Sequence, residues 1–208
     1  MSLDALAILT EALATIRNRE ANGATADAGP TQGLGTSTSV ALFGARPLHI
    51  PDLDGGSYKS EVVVYDGPGG TIKINYWGSS DPREEAHNHP FRDEDDVSFT
   101  AYFLGGGYTD KRLTVADDGT VVEQIKVFRA GDVNVVRYNE YHTVYDVLPG
   151  TVTIMVCGPR YKPANGDAWG YLVQNPDTGL FEKVGPNDPR VANPNFVASF
   201  KAMNPHRR

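Results

Sequence analysis

The stretch Arg83–Asp110, REEAHNHPFRDEDDVSFTAYFLGGGYTD, holds two of the chain's five histidines one residue apart, ahead of an alternating apolar run and three glycines. Ser98 to Leu104 alternates as a strand does, and Gly105-Gly106-Gly107 ends it as a turn. On a strand, residues i and i+2 point to one face, so His87 and His89 can aim both imidazoles at a single point inside a β-barrel. Taken alone, the pair fits a solvated loop equally well. Its neighbours Asp93, Glu94, Asp95 and Asp96 read as a charged loop that keeps a sheet edge soluble. A third imidazole decides between the two readings. The segment Gly131–His142, GDVNVVRYNEYH, gives a strand, a turn and then His142, which can bring a ligand from a neighbouring strand; His49 and His206 lie in a segment before the sheet and in the tail.

Outward from this stretch, short runs rich in β-branched and aromatic residues recur at 60–66, 71–77, 98–104, 108–115, 120–128, 132–138, 142–148, 151–157 and 169–174. Asp66–Gly70, Asp117–Gly119 and Pro149-Gly150 punctuate them as turns or loops. Many strands at close, even spacing predict an all-β sandwich or barrel. Leu3, Leu6, Leu9, Leu13 and Ile16 recur at helical spacing, so 3–19 reads as an amphipathic helix, and 21–39 is a Gly/Ala/Thr linker with almost no bulky side chain. The expected organisation is therefore a helix and linker over 1–39, a barrel over 40–185, and a tail over 186–208 with one short helix near Phe196–Met203.

Composition narrows the function classes. The 208 residues are 40% hydrophobic and carry a formal charge of -7, which repels phosphate backbones and anionic membrane surfaces, so neither nucleic acid nor membrane is an expected partner. The single cysteine, Cys157, excludes an intrachain disulfide and fits a reducing cytoplasm; within an apolar strand it reads as a small hydrophobe. No run of about 18 apolar residues is present, so no membrane-spanning helix is expected.

Three neutral imidazoles favour Fe(II), Ni(II), Cu(II) or Zn(II) over Mg(II) or Ca(II), which prefer oxygen. His87, His89 and Gly105, followed by Gly131 and, eleven residues on, His142, resemble the two motifs of the cupin superfamily, with Arg137 and Asn139 standing where the second motif has Pro and Gly. The resemblance covers roughly residues 60 to 160. It implies a cupin double-stranded β-helix, a jelly-roll barrel, with the N-terminal helix added. Cupins also carry a glutamate ligand. Counting forward from His89 reaches Glu94, whereas counting back from Gly105 reaches Ser98; strand register favours Ser98 over a loop position, with Glu94 kept as an additional candidate ligand. Segments around Trp77 and from His142 to Tyr161 are similar to the three-histidine, cysteine-dioxygenase-like branch, although that branch's His and Tyr relay falls on Met155 and Cys157 here.

If Ser98 faces inward, so do Thr100 and Tyr102, a polar set that suits a liganded interior. Ser98 and Tyr102 are the expected catalytic side chains. Thr100, Tyr108, Arg112 and Arg137 are expected to hold substrate, the arginines through a bidentate grip on a carboxylate. The resemblance implies a mononuclear Fe(II) oxygenase of the dioxygenase type acting with O2 on a small polar molecule, with Ni, Zn, Cu or Mn as other metals. His89 fills the slot where 2-oxoglutarate enzymes carry a carboxylate, which argues against that co-substrate. The rival expectations are a metal-dependent isomerase or lyase using Tyr102 or Glu94 as acid or base, and a ligand-binding module without catalysis. Dimerisation is expected to involve the N-terminal segment.

Overall fold

The computed structural model describes residues 46–52, 56–83, 85–116, 120–164, 166–192 and 195–206. The helix expected at 3–19 and the linker at 21–39 lie outside the described residues. In chain order the elements are β1 (Leu48–Pro51), β2 (Ser57–Gly67), β3 (Gly70–Trp77), β4 (Ala86–His87), β5 (Val97–Gly105), β6 (Gly107–Val115), β7 (Val121–Arg129), β8 (Val133–Arg137), β9 (Glu140–Tyr145), β10 (Thr151–Cys157), β11 (Tyr171–Gln174), β12 (Phe181–Val184) and one helix, α1 (Phe196–Met203). No helix among the described residues is long and apolar enough to cross a membrane.

The strands form two six-stranded antiparallel sheets, ordered β1-β2-β3-β10-β5-β8 and β12-β11-β4-β9-β6-β7. From β3 to β10 the chain crosses between them at every step except the β6-β7 hairpin, so that β3-β10-β5-β8 faces β4-β9-β6-β7. That is the strand order of a jelly roll. The turns match their residues: Gly106, at φ 64° between β5 and β6, adopts a conformation that a Cβ would strain, and an added Cβ would also meet the backbone of Thr151 at 2.6 Å.

Alternation places one set of side chains between the sheets. Phe103, Tyr108 and Val144 pack at one end, with Trp77 and Phe128 against them; Phe91, Phe99, Ala101, Val136, Met155 and Cys157 pack at the other. Burying each such phenylalanine contributes about 1.5–3 kcal/mol, and this decides the phase of β5. Phe99, Ala101 and Phe103 point inward at 3% exposure each, while Tyr102 at 36% and Leu104 at 60% face out. The expectation that Thr100 and Tyr102 line the interior is thus corrected. A register irregularity between Val97 and Phe99 in the pairing with β8 resets the alternation next to Ser98, and one residue of slip exchanges the two faces of a strand.

Candidate metal centre

Cross-strand register assembles the site. In β4, His87 pairs directly with His142 of β9, and His142 pairs on its other side with Arg112 of β6. Directly opposed residues have Cβ atoms about 4.5–5.5 Å apart, so two imidazoles and a guanidinium stand in one lateral row on the inner face. His89 arrives from the loop after β4 rather than from the strand. Asn88 fixes that loop: its backbone N–H donates to the Gly170 carbonyl at 3.0 Å, its Oδ1 accepts from Gly170 N–H at 2.8 Å, and its Nδ2 donates to the Tyr138 carbonyl at 3.2 Å. Asn88 is 2% exposed.

The rings of His87, His89 and His142 lie 5.0 to 5.2 Å apart, and one nitrogen of each falls within 4.8 Å of the others. His89 Nε2 and His142 Nε2 are 2.8 Å apart, the spacing of two adjacent ligands that share one ion at bonds of about 2.0–2.1 Å. Burial first, and then the neighbouring imidazoles, push the pKa values of His87 and His89 well below the usual range, keeping both rings neutral with lone pairs available. His87 Nδ1 is buried and has no hydrogen-bond partner among the described residues. One buried nitrogen without a hydrogen-bond partner and two rings at close approach are what a shared cation would satisfy. The triad can hold a metal, and an all-nitrogen set fits a first-row transition ion.

Behind the triad lies a buried polar network. His142 Nδ1 is 3.1 Å from Asp110 Oδ1. Burial alone would push the Asp110 carboxyl up, but His142, Arg112 and the Asn134 amide together pull it down to about 2. An ionised carboxylate accepts only, so Nδ1 is the nitrogen that donates to Asp110, and Nε2, 2.8 Å from His89 Nε2, is the one turned to the site. Arg112, 2% exposed, donates to Asp110 Oδ2 at 3.2 Å, to Glu140 at 3.1 Å, to the Val135 carbonyl at 2.7 Å and to Asn134. Asn134 in turn donates to the Tyr108 hydroxyl at 3.0 Å.

This network reassigns several expected roles. Arg112 is spent on internal partners and orients Asp110, so it is corrected from substrate holder to support of the triad. Tyr108 lines the inner cavity, with its hydroxyl engaged by Asn134. Arg137 is on the outer face of β8, exposed, donating to the Asp95 carbonyl at 3.1 Å; alternation turns it away from the triad. Glu94 is exposed in the loop before β5 and outside the ligand group. Ser98 is fully buried, its hydroxyl without a partner among the described residues, and does not line the cavity; Thr100 and Tyr102 face outward. In place of a polar side chain, β5 presents Phe99 to the triad, its ring 4.9 Å from His89 and 5.6 Å from His142. Cys157 is fully buried, its thiol pushed up to about 12 by burial, as befits a packing residue.

Residues that the sequence reading did not single out complete the site. A tight inner cavity of about 30 Å³ at the triad is lined on one side by Phe99, Ala101, Val144 and Met155 and elsewhere by polar groups that include Asn75 and Thr153. It adjoins an outer groove of about 290 Å³. Tyr58, Lys59, Asp81, His87 and His89 line both. Burial pushes the Asp81 carboxyl up, against the pull of the Arg83 N–H and of Lys59; its Oδ2 is 3.8 Å from His87 Nδ1. Asp81 lies in an Asp-Pro step, which reads locally as a turn, so only the folded register reveals its place.

No family model and no curated protein matches the chain. Among solved structures it is similar to KdgF from a Halomonas species, with 16% identity over 50% of this chain and 82% of that one and a TM-score of 0.34. It is likewise similar to hydroxypropylphosphonic acid epoxidase from S. wedmorenis, with 12% identity over 55% of each chain and a TM-score of 0.37. An RmlC-like cupin from Shewanella frigidimarina gives 17% identity over 63% of this chain and 92% of that one, with a TM-score of 0.36. The described domain is a jelly roll by its own strand order, β3-β10-β5-β8 over β4-β9-β6-β7, with a three-histidine cluster between the sheets.

Proposed function

We propose that the chain is a metal-dependent enzyme and, within that class, an oxygenase of the dioxygenase type in which His87, His89 and His142 hold one Fe(II). The observation that carries this reading is Phe99. Its ring fills the flank of the triad nearest β5, so the protein offers three imidazole nitrogens, an apolar flank and no fourth ligand from that strand. Fe(II) in such a set would supply Lewis acidity and one-electron chemistry toward dioxygen; Ni, Zn, Cu and Mn suit the same donors.

The chain's own residues supply the rest. Phe99, Ala101, Val144 and Met155 give the inner cavity an apolar side, beside Asn75, Tyr108 and Thr153. Asp110 fixes the tautomer and orientation of His142, and Arg112 fixes Asp110. Tyr58, Lys59 and Asp81 line the passage between cavity and groove, where the polar groups of a small substrate arrive. One observation favours a second reading, a Lewis-acid isomerase or lyase: Asp81 places a buried carboxyl oxygen 3.8 Å from His87, within reach of a proton on a ligand bound at the triad.

Oxygen uptake separates the two. The full chain is loaded anaerobically with Fe(II) and, separately, with Zn(II), then challenged with a panel of small organic acids. The oxygenase reading predicts O2 consumption matched to product with iron only. Turnover without oxygen, by the Zn(II) form as well, overturns it in favour of the isomerase or lyase. A chain that binds no metal and is indifferent to His142→Ala would be a binding module instead.

A further inference from the structure

The outer groove has a charge opposite to that of the chain. Its walls include Lys59, Lys73, Arg83 and Arg160 against only Glu61 and Asp81, in a protein whose formal net charge is -7. The four cations are not equivalent. Lys59 and Lys73 both pair with Glu61, at 2.9 and 3.3 Å. Arg160 is 68% exposed and 3.9 Å from Asp66. Arg83 differs from all three in that no carboxylate among the described residues forms an ion pair with it; its guanidinium carbon lies 5.1 Å from the ring centre of Tyr171 and 5.3 Å from that of Phe196. Two aromatic contacts restrain a guanidinium while leaving its N–H edges available. Tyr171 pairs with His87 across β11 and β4, their rings 5.9 Å apart, so the restrained cation is one aromatic ring away from the triad.

We infer that the groove takes a small molecule bearing a carboxylate or phosphate group and that Arg83 is its anchor. The anion lies against the Arg83 edge, and the remainder of the ligand extends past Tyr58 and Lys59 toward the histidines. A volume of about 290 Å³ is at the small end of ligand pockets, roughly 300–1,000 Å³, which suits a metabolite-sized acid rather than a polymer. A planar fork grips an oxyanion through two parallel hydrogen bonds, which a lysine at the same place cannot do. That the far end of the ligand is the reacting end rests on the proposed metal centre; the anchor itself does not.

Calorimetric titration of the full chain with succinate, with inorganic phosphate and with uncharged succinamide tests this without any turnover. Saturable binding of succinate or phosphate, at least tenfold tighter than succinamide, is expected, and whichever anion binds identifies the head group. Arg83→Gln should weaken that binding at least tenfold, Arg83→Lys should recover part of it, and Arg137→Gln, on the outer face of β8, should leave it unchanged. Metal content of Arg83→Gln should stay at the wild-type level, whereas His142→Ala should lose metal and keep the anion. Equal affinity for succinamide, no saturable anion binding, or an unaffected Arg83→Gln overturns the anchor. Retention of metal by His142→Ala overturns the metal centre and leaves the anchor standing. Should Arg83→Gln not fold, the contrast of succinate with succinamide on the unaltered chain decides alone.

Discussion

Glu61 sits on β2 between Lys59 and Lys73, its side chain only 12% exposed. Burial by itself would push its carboxyl up, but the two ammonium groups outweigh burial and hold it at about 2, below its ordinary 4.5. A carboxyl lowered on folding stabilises the fold above its unfolded pKa, and the contribution is lost as pH falls through the folded value. Between about pH 4.5 and pH 2 the chain should therefore lose on the order of 3 kcal/mol from this group. Urea unfolding of Glu61→Gln as a function of pH should show a flatter acid limb in that window; an unchanged limb would mean the ion pairs contribute nothing. At this scale the sequence revealed the ligands and concealed their supports. His87, His89 and His142 could be read because their spacing is local or belongs to a motif. Asp110 could not, because its meaning depends on which residue of β9 stands opposite β6, and register is not written in either strand alone. Ser98, Thr100 and Tyr102 were misread by one step of phase, since a register irregularity beside Ser98 leaves no mark in the composition.

Among the elements, the longer strands β2, β3 and β5 to β10 were legible, and α1 falls on the residues expected for it. β1 and β12 are four residues each and β4 is two, too short for any period to show. Yet β4 carries His87, and β1 fastens α1 to the barrel. Asn204, fully buried after the helix, accepts from His49 N–H at 2.8 Å and donates to the His49 carbonyl at 2.9 Å. Through this clasp α1 brings Phe196 over the groove beside Arg83. Asn204→Ala would leave two His49 backbone groups without their partner, a cost of about 1–3 kcal/mol. A lowered urea midpoint with an unchanged slope is the expected outcome. A midpoint equal to that of the unaltered chain would show that α1 is held by its packing alone.

For the whole molecule, the jelly roll brings three distant stretches of chain to one point: His87 and His89 from around β4, His142 from β9, and Asp110 and Arg112 from β6. The all-β class followed from turn spacing, and the general location of the site from histidine spacing. The polarity of the interior did not, because apolar residues of β5 and polar residues of β6 line opposite walls of the same interior, one from each sheet, and neither strand alone reveals that arrangement. A sheet pair of this kind places an imidazole cluster at the base of a cationic groove inside an acidic protein, and that combination is the basis for proposing a metal enzyme for small anions. The most direct test is the metal content of the full chain after loading with Fe(II) and desalting, together with an X-ray absorption measurement of the ligand shell. About one ion per chain is predicted, with nitrogen neighbours near 2.0–2.1 Å. His142→Ala should lose the ion, and Asp110→Asn should lower its affinity about 10- to 100-fold through the misoriented imidazole. A chain that emerges without metal, or a His142→Ala variant that retains it in full, would contradict the account.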